Sequence, residues 1–94
     1  MKRVRKIAVT SATEMFPAGY TRRSNQELTE MGYDMDPEYI EYDKSICEEY
    51  GLKFVGYAAS DNEDDPLLVV AQDGDVQKCF EISGGALYDV YVGI

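Results

Sequence analysis

Residues 36–52, DPEYIEYDKSICEEYGL, carry a helix start, an apolar face and a helix stop in one continuous stretch, and the rest of the chain has to accommodate them. Asp36 can accept from the first backbone N–H groups, and Pro37 fits the first helical position, where its missing donor costs nothing. At about 100° per residue, Tyr39, Ile40, Tyr42, Ile46, Cys47 and Tyr50 fall within an arc of roughly 160°. Glu38, Glu41, Lys44, Ser45, Glu48 and Glu49 fill the other side. Gly51 can take the left-handed conformation that ends a helix, with Leu52 packing back beneath it. A helix of this kind needs an apolar sheet to cover.

The residues that follow supply one. Segments 53–60 (KFVGYAAS), 66–72 (PLLVVAQ), 76–83 (VQKCFEIS) and 86–93 each read as a strand. Leu67 to Ala71 is an unbroken apolar run, as expected of a central strand buried on both faces. Asp73-Gly74-Asp75 and Ser83-Gly84-Gly85 are tight-turn signals, and connections this short force antiparallel neighbours. In 76–83, Val76, Phe80 and Ile82 share one face, while Gln77, Cys79, Glu81 and Ser83 share the other, more polar one. The last strand places Tyr88, Val90 and Val92 opposite Leu87, Asp89 and Tyr91.

The first third of the chain is less regular. Residues 3–10 (RVRKIAVT) predict a first strand whose basic start belongs on a sheet edge, where charge deters unwanted pairing. Residues 11–23 read as a loop around a Pro-Ala-Gly turn that folds Met15, Phe16 and Tyr20 onto the core. Ser24 and Glu27 form a capping box ahead of a short helix over about 25–31, which carries Leu28 and Met31 inward and ends at Gly32-Tyr33. The expected fold is therefore a single α+β domain over 1–94. It has a four- to five-stranded, mainly antiparallel sheet with a C-terminal meander and two helices packed on one face.

Charge is the main compositional signal. Eighteen acids against nine bases give −9, and the two signs are segregated. Residues 1–23 hold six bases and one acid, whereas residues 24–94 hold three bases and seventeen acids. An acidic body argues against nucleic acid as a direct partner, because such binding rests on neutralising phosphates. No apolar run approaches the ~20 residues that span a bilayer, and the N-terminal apolar stretch is shorter than the about seven residues a secretory segment needs. Two distant cysteines suggest neither a disulfide framework nor a zinc site. A cytoplasmic protein with reduced thiols, no membrane contact and no cofactor is the simplest expectation.

The search for chemistry points away from an enzyme. The chain has no histidine, which removes Ser–His and Cys–His nucleophiles, histidine metal ligands and histidine proton shuttles. No glycine-rich phosphate loop is present. Counted from Asp61, the loop 61–65 offers Pro66 and Gln72 where an EF-hand needs Gly and Glu, so it reads as a solvated turn rather than a metal site. Cys47, on the apolar arc, is expected to be a buried small hydrophobe, and Cys79, on the polar face of its strand, to be accessible.

Asp43 breaks the local pattern, because its helical angle lies in the middle of the apolar arc. A carboxylate buried there needs a partner, such as a tyrosine hydroxyl or a base from the first strand. The structural alternative is a helix rotated so that Asp43 reaches the rim beside Lys44. Tyr39, Tyr42 and Tyr50 are the tyrosines within reach on the same helix, expected to be shared between core and rim.

Two functional readings follow. The first is a small acidic protein-binding protein, an inhibitor or adaptor that occupies a basic site on a partner protein. Glu38, Glu41, Glu48, Glu49, Asp61, Glu63, Asp64 and Asp65, with Tyr42, are its candidate contact residues, and they stand in for phosphates where the site normally holds nucleic acid. In size and charge alone the chain resembles the acidic anti-restriction and anti-CRISPR proteins of phages and the immunity proteins of nuclease toxins. The alternative is a small-ligand-binding or minor enzymatic domain with a pocket lined by Asp43, Tyr39 and Tyr50. A homo-oligomer paired through an exposed sheet edge is a third reading.

Overall fold

The computed structural model describes residues 3–4, 14–62 and 64–92. Both helices form where their local signals place them. In α1 (Asn25–Glu30), the Ser24 hydroxyl accepts from the Glu27 N–H at 3.1 Å, and the Glu27 carboxylate accepts from the Ser24 N–H at 3.0 Å. The bond from the Ser24 N–H, helped by the Ser24 hydroxyl, holds the Glu27 carboxyl below its ordinary pKa, as hydrogen bonds to the charged form do. In α2 (Pro37–Glu49), the Asp36 carboxylate accepts from the Glu38 N–H at 2.9 Å. Each helix stops on a glycine with positive φ, Gly32 (+101°) and Gly51 (+76°). The N–H groups of Tyr33 and Leu52 reach back to the carbonyls of Leu28 and Cys47, completing the same double-bonded stop twice.

Five strands follow one another in an antiparallel meander: β3 (Tyr20–Arg23), β4 (Lys53–Ser60), β5 (Leu68–Asp73), β6 (Val76–Ser83) and β7 (Ala86–Asp89). The short β2 (Glu14–Met15) runs parallel beside the start of β6, on the edge whose far end is taken by β7. Near the termini, β1 (Arg3–Val4) pairs in parallel with β8 (Tyr91–Val92). The expected α+β architecture, with a mainly antiparallel sheet and both helices on one face, is thus the one observed. The remainder of the expected first strand over 3–10 lies outside the described residues.

Segment 11–23 departs from expectation. It is not a loop throughout: Tyr20–Arg23 pairs along β4 from Ser60 to Tyr57 and forms the outer strand of the meander. Its sequence, YTRR, lacks an apolar alternation, so only the pairing with β4 reveals it as a strand. Tyr20 is buried, and its hydroxyl donates to the Pro66 carbonyl at 2.6 Å.

The sheet is covered on both sides, which explains the unbroken burial of Leu68–Ala71. On the helix side, Leu28 and Cys47 pack with Tyr57, Ala59, Val69, Ala71 and Phe80. On the other side, Phe16, Tyr20 and Val90 close over Ala58, Leu68, Val70 and Cys79. Full burial of a side chain such as Leu28 or Leu68 contributes about 1.5–3 kcal/mol. Cys47 is buried as expected, but Cys79 is only 2% exposed and corrects the expectation of an accessible thiol. The face that looks polar along β6 is sealed by Phe16, from the first third of the chain, and by Val90, just past β7.

A bulge in β4 sets the site described next. Phe54 pairs with Ala71 and Gly56 with Val70, so Val55 is the extra residue. The bulge reverses the strand's alternation, so that Phe54 and Tyr57 both face the helices while Val55 faces away. Their rings meet edge to face, with centroids 5.5 Å apart.

Candidate functional site

Helix α2 lies on the sheet through Ile40, Asp43, Ile46 and Cys47, the positions that a 3.6-residue period stacks on one side. Ile46 and Cys47 are buried, while Ile40 and Asp43 are partly buried. The helix is therefore not rotated to put Asp43 on the rim beside Lys44. Its carboxylate lies between helix and sheet, and its Oδ2 accepts a hydrogen bond from the Tyr57 hydroxyl at 2.5 Å. A partly buried carboxylate needs a partner, and here it is a tyrosine, which comes from β4 rather than from α2.

Tyr57 is 4% exposed. Burial, and then the hydrogen bond and charge of Asp43, push its hydroxyl pKa far above the usual tyrosine value. Tyr57 thus keeps its proton and serves as a fixed donor rather than as a base. Burial, followed by the carboxylates of Asp43 and Glu48, pushes the Cys47 thiol up to about 11, so it carries no thiolate at neutral pH.

Beside this pair lies a cleft of about 490 Å³ between α2 and the sheet. Tyr39, Tyr42 and Asp43 line it from the helix, and Tyr57, Val69 and Ile82 from the strands. The β6–β7 turn closes one end with Gly84 and Gly85. A Cβ at Gly85 would meet the Tyr42 hydroxyl at 3.4 Å, an ordinary contact, so the glycine serves the turn through its φ of +79° rather than by making room. Tyr50, expected in the same pocket, is half exposed and does not line it. Tyr39 and Tyr42 are likewise exposed, at 63% and 48%, and form a rim rather than a part of the core.

The outer side of α2 presents Glu38, Glu41, Glu48 and Glu49, all exposed. Ion pairs among the described residues join Arg23 to Glu27 and Asp61, and Lys78 to Asp89; none involves α2. The acids of the β4–β5 loop behave differently. Asp61 is bonded to Arg23 at 2.8 Å, and Asp65 accepts from the Ser60 hydroxyl at 2.7 Å. The Asn62 side chain accepts from the Asp64 N–H, leaving the Asp64 carboxylate exposed. Glu63 lies outside the described residues. No group of three or more metal-ligating side chains assembles among the described residues.

Of the candidate contact residues, the structure thus gathers four acids and Tyr42 on α2 and ties two of the loop acids to neighbours of their own. Tyr57, Leu67, Val69, Ile82 and the Gly84-Gly85 turn are the site residues that sequence reasoning missed. Only the turn had a signal of its own, as a glycine pair. No helix is long and apolar enough to cross a membrane among the described residues. No family model, curated protein or solved structure matches this chain.

Proposed function

We propose that this chain is a small acidic protein-binding protein, an inhibitor or adaptor, whose α2 face occupies a basic site on a partner protein. The observation that carries this reading is the row of exposed carboxylates Glu38, Glu41, Glu48 and Glu49, none of which meets a cation among the described residues. Arg23 and Lys78 pair away from α2, and Lys44 on the same helix joins none of these ion pairs, so the four carboxylates leave the face net negative and able to attract external positive charge, while the net charge of −9 steers such a partner from a distance. Tyr39 and Tyr42 beside the carboxylates add contact area of the kind that anchors interfaces and stacks against arginine. A site that normally holds DNA or RNA is the natural target, with the four carboxylates taking the place of phosphates.

The test is capture of partners on the immobilised protein, elution by rising salt, and competition with nucleic acid. The expected partner is a basic nucleic-acid-binding protein, released by salt and displaced by DNA or RNA. Replacing all four α2 glutamates by glutamine should weaken its binding about tenfold or more. Unchanged affinity of that variant would sink the proposal.

A further inference from the structure

We propose that the cleft between α2 and the sheet receives a single arginine side chain of the protein partner, with the guanidinium seated against Asp43 and the tyrosine rim. This rests on the reading of α2 as a partner-binding face and names the contact that would anchor it.

The argument starts from Asp43. Among the described residues its carboxylate accepts one hydrogen bond, on Oδ2 from Tyr57, and no ion pair reaches it. A carboxylate has about four acceptor positions, so Tyr57 takes one and leaves the others open to donors of a partner at this partly buried site. Among the described residues, Asp43 is also the one charged side chain lining the cleft. Tyr57 supplies no positive charge, and its retained proton fixes the carboxylate's orientation. The cleft therefore offers an incoming cation an oriented carboxylate.

The remaining lining selects which cation. Tyr39 and Tyr42 at the rim offer aromatic surface, which a guanidinium stacks on more readily than an ammonium. Leu67, Val69 and Ile82 offer apolar wall for the methylene stem. A planar fork with paired donors matches an open carboxylate oxygen, and a cleft of about 490 Å³ is ample for one side chain. Because Glu38 and Glu41 lie on the same helix, an arginine entering here would bring its neighbours alongside further carboxylates. This fits a basic protein segment rather than an isolated small cation.

The test uses the full chain, 15N-labelled, titrated with a short basic peptide containing one central arginine and with the same peptide carrying citrulline instead. The arginine peptide is expected to shift the amide signals of Asp43, Tyr57, Gly84 and Gly85. Citrulline should weaken binding about fivefold or more and remove those shifts. Asp43→Asn, which retains an acceptor for Tyr57, should reproduce the loss. Tyr39→Ala, at an exposed position, should weaken binding about two- to fivefold without affecting folding. Shifts confined to Glu38, Glu41, Glu48 and Glu49 would overturn the cleft proposal while leaving the acidic face standing. Equal shifts from the citrulline peptide, or free ethylguanidinium binding as tightly as the peptide, would also overturn it. Binding of neither peptide would count against both the cleft and the face.

Discussion

The Tyr57 hydroxyl donates to the Asp43 carboxylate at 2.5 Å, tying the bulged strand β4 to the centre of helix α2. The bond joins two elements that also meet through Cys47 and Ile40, and it supplies the carboxylate with a donor in a mostly apolar layer. The same bond fixes the floor of the cleft.

Removing that donor should cost stability. Tyr57→Phe keeps the ring, its buried area and its contact with Phe54, but strands a partly buried carboxylate. A loss of about 1–3 kcal/mol is expected from urea unfolding. In a double-mutant cycle with Asp43→Ala, which removes the acceptor, the two losses should fall short of adding, because both changes break one interaction. Fully additive losses would show that the bond contributes nothing.

Stability should decline on the alkaline side. Cys47 rises from 9.0 to about 11 and Tyr20 from 10.0 to about 12, in both cases chiefly through burial, and Tyr57 is raised as well. A raised pKa means the folded state holds its proton while the unfolded chain releases it. The contribution of each group is complete below its unfolded value and disappears as pH climbs through the folded one. The urea midpoint should therefore be steady near neutrality and fall between pH 9 and pH 12. Tyr57→Phe should make that fall shallower. A midpoint independent of pH over this range would contradict the burial of these groups.

Both thiols should be silent in the native state. Cys47 and Cys79 are buried on opposite sides of the sheet. A thiol-specific chromogenic reagent should react with neither at neutral pH and with both after denaturation. Rapid reaction of one thiol, assigned by comparing Cys47→Ala with Cys79→Ala, would mean that its cover opens without global unfolding.

The stop of α2 should depend on its glycine for backbone reasons alone. Gly51 has φ of +76°, and a Cβ there would meet nothing within 4 Å. Gly51→Ala should thus cost about 1–2 kcal/mol, the expense of a side chain in the left-handed region, with no steric contribution. An unchanged urea midpoint would show that the Leu52 N–H to Cys47 carbonyl bond is not holding the chain in this conformation.

Both helices with their caps and stops, the boundaries of β4 and β6, and the turns at Gly74 and Gly84-Gly85 are legible along the chain. These features are encoded within a few residues of one another: Ser24 reads Glu27, Asp36 reads the N–H of Glu38, and glycines supply the positive φ that ends a helix or turns a hairpin. The unbroken run ending at Ala71 likewise signalled a strand covered on both faces. Tertiary structure decided what depended on distant residues. Tyr20–Arg23 is a strand only because β4 offers an edge, and Cys79 is buried only because Phe16 and Val90 cross its face. Tyr57 meets Asp43 because a bulge at Val55 shifts the alternation of β4 and because α2 lies with its Asp43 line against the sheet. Periodicity places a side chain on a face, but what covers that face is settled by contacts between separate elements, and there the cleft arises.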